Sequence, residues 1–410
     1  MILDEMIFEN LYESPSRNGL YKTKEFHGRG TKIVNMGELF GLDFISNQDM
    51  KRLELTENEL KRFQLIDGDL LFGRRSLVES GAGKCSLVDN LKEPLVFESS
   101  IIRVRLDSSL VNPKFYFYYF SSHRGRSKIM AIVSGVNVKG IRGSDLKKIR
   151  VDVPTLETQN KIASILSAYD DLIENNQRRI ALLEESARLL YREWFVKLRF
   201  PGHEDTKIVD GVPEGWKRGT IGQIARLRSG YAFKSKDWLE QGNPVIKIKN
   251  IDNGSIDLNG CQCISDSISD KAKSYLLETG YLVIAMTGAT VGKVGIMPRT
   301  EKNHYLNQRV GEFIPNNDVD CTPFLYTFFR TEEAQKQVLN YAGGAAQPNI
   351  SGKQLEGLQV LLPDRYILKE YVKFCFPLFE NRLVLIDQNQ KLKAARDLLL
   401  PKLMNGDIPV

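Results

Sequence analysis

The chain has 410 residues, of which 42% are hydrophobic and 26% are charged, and its formal net charge is +6. This length predicts two or three domains with full hydrophobic cores. The sequence contains no run of about 18 apolar residues, so no transmembrane helix is predicted. The N-terminus has no basic segment followed by an apolar one, so we expect no signal peptide. The 5 scattered cysteines predict reduced thiols and a cytoplasmic protein. A modest positive charge is compatible with a polyanionic partner but does not establish one.

The first region, residues 1–153, alternates short β-like runs with turns. Residues 31–36, 69–72 and 100–106 are rich in Val, Ile, Leu and Phe, and each run is predicted to be a strand. Residues 114–120 are aromatic almost throughout, which predicts a buried helix or a buried strand. The first region is therefore predicted to be an α+β domain.

A long helix is predicted over residues 154–195, which contain no internal proline or glycine. Apolar residues recur there at alternating steps of 4 and 3, a period that keeps one edge of a helix facing a partner helix. A helix of about 40 residues is roughly 60 Å long. The predicted seam consists of Ile162, Leu166, Tyr169, Ile173, Asn176, Ile180, Leu183, Ala187, Leu190 and Trp194. Residues 201–216, rich in proline, glycine and charge, mark a linker.

The second half of the chain repeats the first. Ile141, Leu146 and Pro154 have counterparts 209 residues later, and further matches extend along both halves. The matched segments are Ile141, Leu146 and Pro154 with Ile350, Leu355 and Pro363; Gly83-Lys84 with Gly292-Lys293; residues 33–36 with 248–251; and residues 65–72 with 277–284. The constant shift of 209 residues at Ile141, Leu146 and Pro154, which are different residue types, indicates an internal repeat of the architecture.

The repeat predicts a second long helix after Pro363. Its predicted seam consists of Ile367, Tyr371, Phe374, Leu378, Asn381, Leu385, Gln388, Leu392, Ala395 and Leu399. Pro377 is expected to kink or restart this helix near Phe376, and Pro401 with Asn405-Gly406 is expected to end it. We expect the polar seam residues Asn176, Asn381 and Gln388 to fix the alignment of the two helices.

The predicted fold is α+β. Two similar globular domains are joined by two long helices, which form an antiparallel coiled coil with a pseudo-two-fold axis. The predicted segments are a first domain (1–153), a first helix (154–200), a linker (201–216), a second domain (217–362) and a second helix (363–410).

Catalytic motifs are not found in the sequence. Residues 81–86 resemble the end of a phosphate-binding loop, but Val78 and Cys85 occupy positions that require Gly and Ser or Thr, so a tight turn is the better interpretation. Zinc-ligand spacing, a dinucleotide-binding glycine pattern and a nucleophile elbow are also missing. We therefore expect no catalytic residue, no metal and no cofactor on this chain.

Several segments are candidates for binding DNA. Residues 121–150 are rich in Lys and Arg and contain a single acid, Asp145, so they could follow a phosphate backbone or form a solvated basic surface. In the second half, Gln347 and Asn349 are suited to bidentate contacts with adenine, although Ser351 and Gln354 also fit a helix-capping box. The full set of candidates is Arg74, Arg75, Lys84, Arg124, Arg126, Lys128, Asn137, Lys139, Arg142, Lys147, Lys148, Lys234, Lys236, Lys293, Gln347 and Asn349.

Five stretches resemble the specificity (S) subunits of type I restriction-modification enzymes. They are PTLETQNKIASILSAYDDLIENN at 154–176, FPGHE at 200–204, VPEGW at 212–216, SGYAFKSK at 229–236 and LPKLMNG at 400–406. The resemblance covers the whole chain in the order that this family shows. Residues 364–369 depart from it, because they lack the ETQNK sequence found at 157–161.

The resemblance implies a DNA-binding subunit without an active site. Two target-recognition domains would each read one part of a bipartite sequence in double-stranded DNA, and the helices would set the unread gap. It also implies two modification subunits that use S-adenosylmethionine to methylate adenine, and restriction subunits that use ATP and Mg for translocation and cleavage. Two alternatives remain: a self-contained DNA methyltransferase or nuclease, and a coiled-coil scaffold that does not bind DNA.

Overall fold

The computed structural model describes residues 4–78, 81–252, 254–316, 318–343 and 348–410. The chain divides into two compact units, one formed by Met1–Leu172 with Leu392–Val410 and the other by Ile173–Lys391. Each long helix therefore contributes residues to both units. The segment bounds predicted from the sequence remain predictions, because the boundaries between the two compact units fall inside the long helices and not at the helix ends.

The first unit is built from short strands and helices that precede the first long helix. Its strands are β1 (Asp4–Ile7), β2 (Tyr12–Asn18), β3 (His27–Val34), β4 (Phe44–Ile45), β5 (Arg52–Leu53), β6 (Leu70–Gly73), β7 (Arg75–Ser76), β8 (Cys85–Val88), β9 (Leu95–Phe97), β10 (Ile101–Leu106), β11 (Lys139–Gly140) and β12 (Arg150–Val153). Its helices are α1 (Met36–Gly41), α2 (Glu57–Phe63), α3 (Pro113–Ser121), α4 (His123–Met130), α5 (Gly143–Leu146) and the start of α6 (Leu156–Tyr191). The main sheet has the order β2-β10-β6-β8-β4, beside a smaller sheet β5-β3-β9 and the two-stranded ribbons β1-β12 and β7-β11.

The local predictions for the first unit are confirmed, with one boundary shifted. Strands β3, β6 and β10 cover the predicted runs, and residues 114–120 form the buried helix α3. Strand β3 ends at Val34, before the predicted end, because the Asn35 amide donates to Glu38 Oε2 (2.9 Å) and begins helix α1.

The second unit contains the remaining strands and helices. Its strands are β13 (Ile208–Val209), β14 (Val212–Pro213), β15 (Lys217–Thr220), β16 (Ala225–Ser229), β17 (Asn243–Ile246), β18 (Ile251–Asp252), β19 (Gly254–Ile256), β20 (Gln262–Ile264), β21 (Leu276–Leu277), β22 (Leu282–Ala285), β23 (Val294–Ile296), β24 (His304–Leu306), β25 (Val310–Pro315) and β26 (Gln359–Leu362). Its helices are α7 (Asp266–Lys271), α8 (Thr322–Phe329), α9 (Glu332–Ala342), α10 (Gly352–Glu356), the end of α6 with a π-turn at Arg192–Val196, and most of α11 (Arg365–Asn405). Its sheets have the orders β16-β25-β22-β23-β19-β18 and β20-β17-β24-β21.

The internal repeat is confirmed, because the two units contain equivalent helices and strands in the same order. Helices α3, α4 and α5 and strand β12 have counterparts α8, α9, α10 and β26 that each begin 209 residues later. The tight turns at Gly83 (φ 66°) and Gly292 (φ 83°) also correspond. A Cβ on Gly83 would lie 2.4 Å from Ile129 Cγ2, and a Cβ on Gly292 would lie 2.8 Å from Val338 Cγ1. Both turns therefore pack against the same position of the equivalent helix.

One of the sequence matches is wrong by three residues. Val34 pairs with Phe97 in the first unit, and Ile246 pairs with Leu306 in the second. Residues 33–36 are therefore equivalent to 245–248 and not to 248–251. The sequence match followed the identical residue types of Ile33 with Ile248 and of Asn35 with Asn250, which the strand pairing does not bring into correspondence.

The long helices pair in antiparallel fashion within each unit, as predicted. In the first unit, Asp170 of α6 forms an ion pair with Arg396 of α11. In the second unit, Asn176 Nδ2 donates to Asn389 Oδ1 (3.0 Å), and Arg382 Nε donates to Glu184 Oε1 (2.7 Å). Later residues of α6 thus meet earlier residues of α11.

The seam on α6 stays a prediction, and the seam predicted on α11 differs in phase from the residues that are buried there. On α6 every predicted position is buried or half-buried. On α11, Leu385 is buried and Leu378, Leu392 and Leu399 are half-buried, but Asn381 and Gln388 are exposed. The partner of Asn176 is Asn389, and the buried positions Phe379 and Arg382 follow the predicted ones by one residue. The phase differs because Phe379 packs into the core of the second unit, where its ring contacts that of Tyr326.

The predicted restart of α11 near Phe376 and its predicted end at Pro401 are wrong, whereas a kink at Pro377 stays a prediction. The helix continues through Pro377, whose side chain is exposed while Cys375 and Phe379 on either side are buried. It also continues through Pro401, because Leu403 and Met404 of the last turn are buried in the core of the first unit. The predicted end at Asn405-Gly406 is confirmed: Gly406 adopts φ 76°, and the Asp407 amide donates to the Lys402 carbonyl (2.9 Å).

Candidate nucleic-acid interface

The ribbon β7-β11 brings two predicted segments of the first unit together. Arg75 lies opposite Gly140, and Ser76 lies opposite Lys139. Ser134 and Gly140 exchange two backbone hydrogen bonds of 2.9 Å, which closes residues 134–140 into a compact loop. A Cβ on Gly135 (φ 110°) would lie 2.1 Å from the Val138 carbonyl oxygen, so this loop requires glycine.

Several of the predicted DNA-binding residues lie on or beside this ribbon. Arg75, Asn137 and Arg142 are exposed, and Arg74 and Lys139 are half-buried. Among the residues that the structure describes, none of Arg75, Lys139 and Arg142 forms an ion pair. Because their charges are not neutralised within the protein, this end of the first unit presents a concentrated positive potential to solvent.

Other predicted cations have acidic partners. The ion pairs are Lys84–Asp43 (3.4 Å), Arg124–Asp152 (2.6 Å), Lys128–Glu5 (2.5 Å), Lys147–Glu9 (3.0 Å) and Lys293–Asp252 (3.0 Å). Lys84 also donates to the Phe40 carbonyl (2.8 Å) near the end of α1, and Arg126 donates to the Ala82 carbonyl (2.7 Å). These side chains hold parts of their own unit together, and in the five ion pairs an acidic partner compensates the positive charge. Lys148 is exposed.

The second unit has an equivalent frame with different side chains. Thr287 pairs with Asn349 in an isolated antiparallel β-bridge. Beside it, the Ile350 amide donates to the Met286 carbonyl (2.9 Å). The equivalent bond in the first unit runs from the Ile141 amide to the Arg74 carbonyl (3.1 Å). Asn349 is exposed, whereas the candidate Gln347 lies outside the described residues. Ser351 and Gln354 form the capping box that begins α10, with Ser351 N to Gln354 Oε1 at 2.8 Å.

Three cations beside this second frame were missed by the sequence reasoning. The Arg309 carbonyl accepts from the Met286 amide (3.0 Å), and Ile248 Cδ1 lies 3.4 Å from a Cβ position on Gly288. The frame therefore adjoins Lys247, Lys249 and Arg309. Burial lowers the pKa of Lys247, and the charges of Lys249 and Arg309 lower it further, which indicates mutual proximity. The Lys-Ile-Lys run at 247–249 was the available signal.

The predicted residues Lys234 and Lys236 are exposed and lie between Phe233 and Trp238 of an aromatic cluster. Phe233 contacts the rings of Tyr231 (4.9 Å between centroids) and Trp238 (5.4 Å), and Lys247 Nζ lies 3.3 Å from the centroid of Trp238. A cation over an aromatic face is stabilised by the ring quadrupole. This contact fixes the start of the Lys247–Lys249 segment.

A buried polar network joins the helices to the second unit. Glu184 accepts from Arg382 Nε (2.7 Å) and the Tyr326 hydroxyl (2.9 Å), and Arg330 Nη1 lies 3.1 Å away. Arg382 Nη2 also donates to the Gly254 carbonyl (2.7 Å). Burial raises the pKa of Glu184, but Arg382 and Arg330 outweigh it and hold the pKa below its usual value. A cavity of about 700 Å³ adjoins this network.

Metal binding, thiol reactivity and membrane insertion are the remaining possibilities for the described side chains and helices. Among the described residues, no group of His, Cys, Asp and Glu is arranged to hold a metal ion. Burial raises the pKa of Cys261 and Cys375 to about 11 and that of Cys321 to about 12, and it also raises that of Cys85. In the described part of the chain, no helix combines the length and apolar character needed to cross a bilayer.

Known proteins with the same organisation were found by sequence and by structure. The MjaIX specificity subunit of a type I restriction enzyme from Methanocaldococcus jannaschii is 25% identical over 404 residues, covering 95% of this chain and 89% of that protein. The HindI specificity subunit from Haemophilus influenzae is 22% identical over 440 residues, covering 92% and 94%. The crystal structure of an S subunit from M. genitalium has a TM-score of 0.59 at 18% identity and covers 98% of this chain and 96% of that one, which shows a shared fold.

A family model for the type I restriction modification DNA specificity domain matches residues 11–185 and 213–394. These two matches cover both halves of the repeat and most of the chain. The chain therefore belongs to the family of type I restriction-modification DNA specificity subunits.

Proposed function

We propose that each unit reads one half of a bipartite target in double-stranded DNA. The observation that carries this proposal is the repeated ribbon frame, which presents Arg75 and Lys139 in the first unit but Thr287 and Asn349 in the second. Phosphate contacts require only cations, whereas base recognition requires side chains that differ from site to site. A two-stranded ribbon is also narrow enough to enter the major groove. One frame with two sets of side chains suits two different half-sites.

The helices are proposed to set the gap between the half-sites and to bind two modification subunits. Polar cross-helix contacts at Asn176–Asn389 and Asp170–Arg396 penalise a shifted alignment, because a shift would leave buried polar groups unpaired. Exposed leucines on the helices, such as Leu182 (67% exposed) and Leu398 (69%), offer apolar surface for a partner. Restriction subunits would complete the complex.

The chain is proposed to be non-catalytic, with S-adenosylmethionine, ATP and Mg bound by its partners. The raised pKa values of the cysteines support this, because a thiol that remains protonated at neutral pH is a poor nucleophile. The chain alone should transfer no methyl group from S-adenosylmethionine to DNA, and adding modification subunits should restore transfer. Methylation by the chain alone would contradict this assignment.

Competitive binding tests the proposal. The complex with modification subunits is titrated with a labelled duplex that carries its methylation target and with duplexes in which either half-site is scrambled. Each mismatched base pair costs about 1–3 kcal/mol, so scrambling three pairs should weaken binding by roughly a hundredfold or more. Equal affinity for all duplexes would refute sequence-specific recognition.

A further inference from the structure

Large apolar side chains project into solvent around the ribbon of the first unit. Val136 is 92% exposed, Leu77 85%, Val78 61% and Val138 47%. Single exposed apolar residues are common on protein surfaces, but a group of them on two adjacent loops indicates a contact surface. Because these side chains are so exposed, they contribute little to the stability of the fold.

The backbone places these side chains beyond the cations of the ribbon. Ser76 lies opposite Lys139 in antiparallel register, so the next step of that register brings Leu77 toward Val138. Val136 lies in the middle of the closed loop 134–140, whose shape is fixed by the Ser134–Gly140 hydrogen bonds and by Gly135. The result is a short projection with apolar residues at its end and Arg75 and Lys139 at its base.

We propose that Leu77 and Val136 are specificity-determining residues that contact the 5-methyl groups of thymines in the half-site read by the first unit. This inference rests on the proposed function. In the major groove, thymine is the base that presents an apolar group, and apolar side chains recognise it by contact. Lys139 at the base of the projection is placed to meet phosphates, while Arg75 and the apolar end are placed to meet base edges.

The part of the second unit that the structure describes shows no equivalent apolar end. Thr287 occupies the position of Arg75, so the equivalent of Leu77 is Ala289, which is exposed but has only a methyl side chain. Thymine recognition by large apolar side chains is therefore assigned to the first unit alone. The two half-sites should consequently differ in their response to removal of thymine methyl groups.

Deoxyuridine provides the test, because it pairs as thymine does but lacks the 5-methyl group. Each A·T pair of a half-site supplies one thymine whose methyl group is removed by this replacement. The complex with modification subunits is titrated with duplexes in which all thymines of one half-site are replaced. For the unaltered chain, replacement in one half-site should weaken binding about fourfold for each contacted methyl.

Matched variants assign this effect to particular side chains. The double variant Leu77→Ala with Val136→Ala should bind the thymine and deoxyuridine duplexes equally. Leu110→Ala, which removes a leucine that is 53% exposed elsewhere in the first unit, should keep the preference. Size-exclusion chromatography without DNA checks that all variants still assemble with the modification subunits.

Three results would overturn the inference. The unaltered complex could be indifferent to deoxyuridine in both half-sites, the double variant could keep the thymine preference, or the double variant could fail to assemble, which would assign the apolar end to a protein contact. Failure of the proposed function is distinguishable, because the unaltered complex would then bind the target and the scrambled duplexes equally.

Discussion

Glu184→Gln tests the network that fixes the helices to the second unit. The substitution keeps the size of the side chain but removes the charge that faces Arg382, whose side chain is 4% exposed. Breaking a buried ion pair by removing one partner costs about 3–5 kcal/mol. Arg382 keeps its bond to the Gly254 carbonyl, and Glu184 itself is 19% exposed, so we expect the lower end of this range, about 3 kcal/mol.

Tryptophan fluorescence during urea unfolding measures this loss selectively. The chain has 3 tryptophans, and Trp194, Trp216 and Trp238 all lie in the second unit. With a urea dependence of about 2 kcal/mol per molar, a loss of about 3 kcal/mol lowers the midpoint by about 1.5 M. The neighbouring Glu185→Gln is the control. Its pair with Arg188 is exposed, so no measurable shift is expected.

The pH dependence provides a second readout of the same network. Since the pKa of Glu184 in the folded protein lies below its ordinary value of 4.5, its contribution is complete above about pH 4.5. The contribution is lost as the pH falls through the folded-state pKa, and Glu184→Gln should lack this loss. Equal midpoints for the Glu184 and Glu185 variants would refute the claim that the buried network stabilises the second unit.

Further predictions concern charge, protonation and backbone shape. Lys148→Ala should lower the slope of log affinity against log salt concentration by about 1, the value for one lost phosphate contact. Lys147→Ala should lower this slope less because Glu9 pairs with Lys147, and equal slopes for the two variants would contradict this. Burial lowers the pKa of His304 below 6.5, so the second unit should lose stability as the pH falls below about 6.5, and tryptophan-detected unfolding of His304→Gln should show a smaller loss. Gly83→Ala should weaken hydrogen-exchange protection in the first unit because its Cβ would meet Ile129, whereas Gly37→Ala, where a Cβ meets nothing within 4 Å, should not.

The sequence predicts the architecture because two strong periodic signals agree. The heptad pattern of α6 and the shift of 209 residues are properties of many positions, so single exceptions do not disturb them. The phase of α11 was harder to predict, because Arg382 and Arg396 occupy inward positions that a hydrophobic pattern assigns to solvent. Their partners, Glu184 and Asp170, lie far away in the sequence.

The candidate interface was predicted less well than the fold for a related reason. Counting cations does not reveal which of them have acidic partners, and the partner of Lys128 is Glu5, 123 residues away. The group formed by Arg75, Lys139 and Arg142 could be identified only after the pairing of β7 with β11 was known. Nothing in the sequence indicated that Lys247, Lys249 and Arg309 lie together, because Arg309 is far from the two lysines in the sequence. A backbone hydrogen bond to Met286 brings Arg309 beside the second frame.

Mapping of adenine methylation in the genome of cells that express this chain with its modification subunits tests the central claim most directly. We expect one bipartite motif with an unread gap, whose methylation depends on this chain. Arg75→Ala should relax base preference in one half-site, and Asn349→Ala should relax it in the other, with the gap unchanged. Variants that alter the same half-site, or methylation that persists without the chain, would contradict the account.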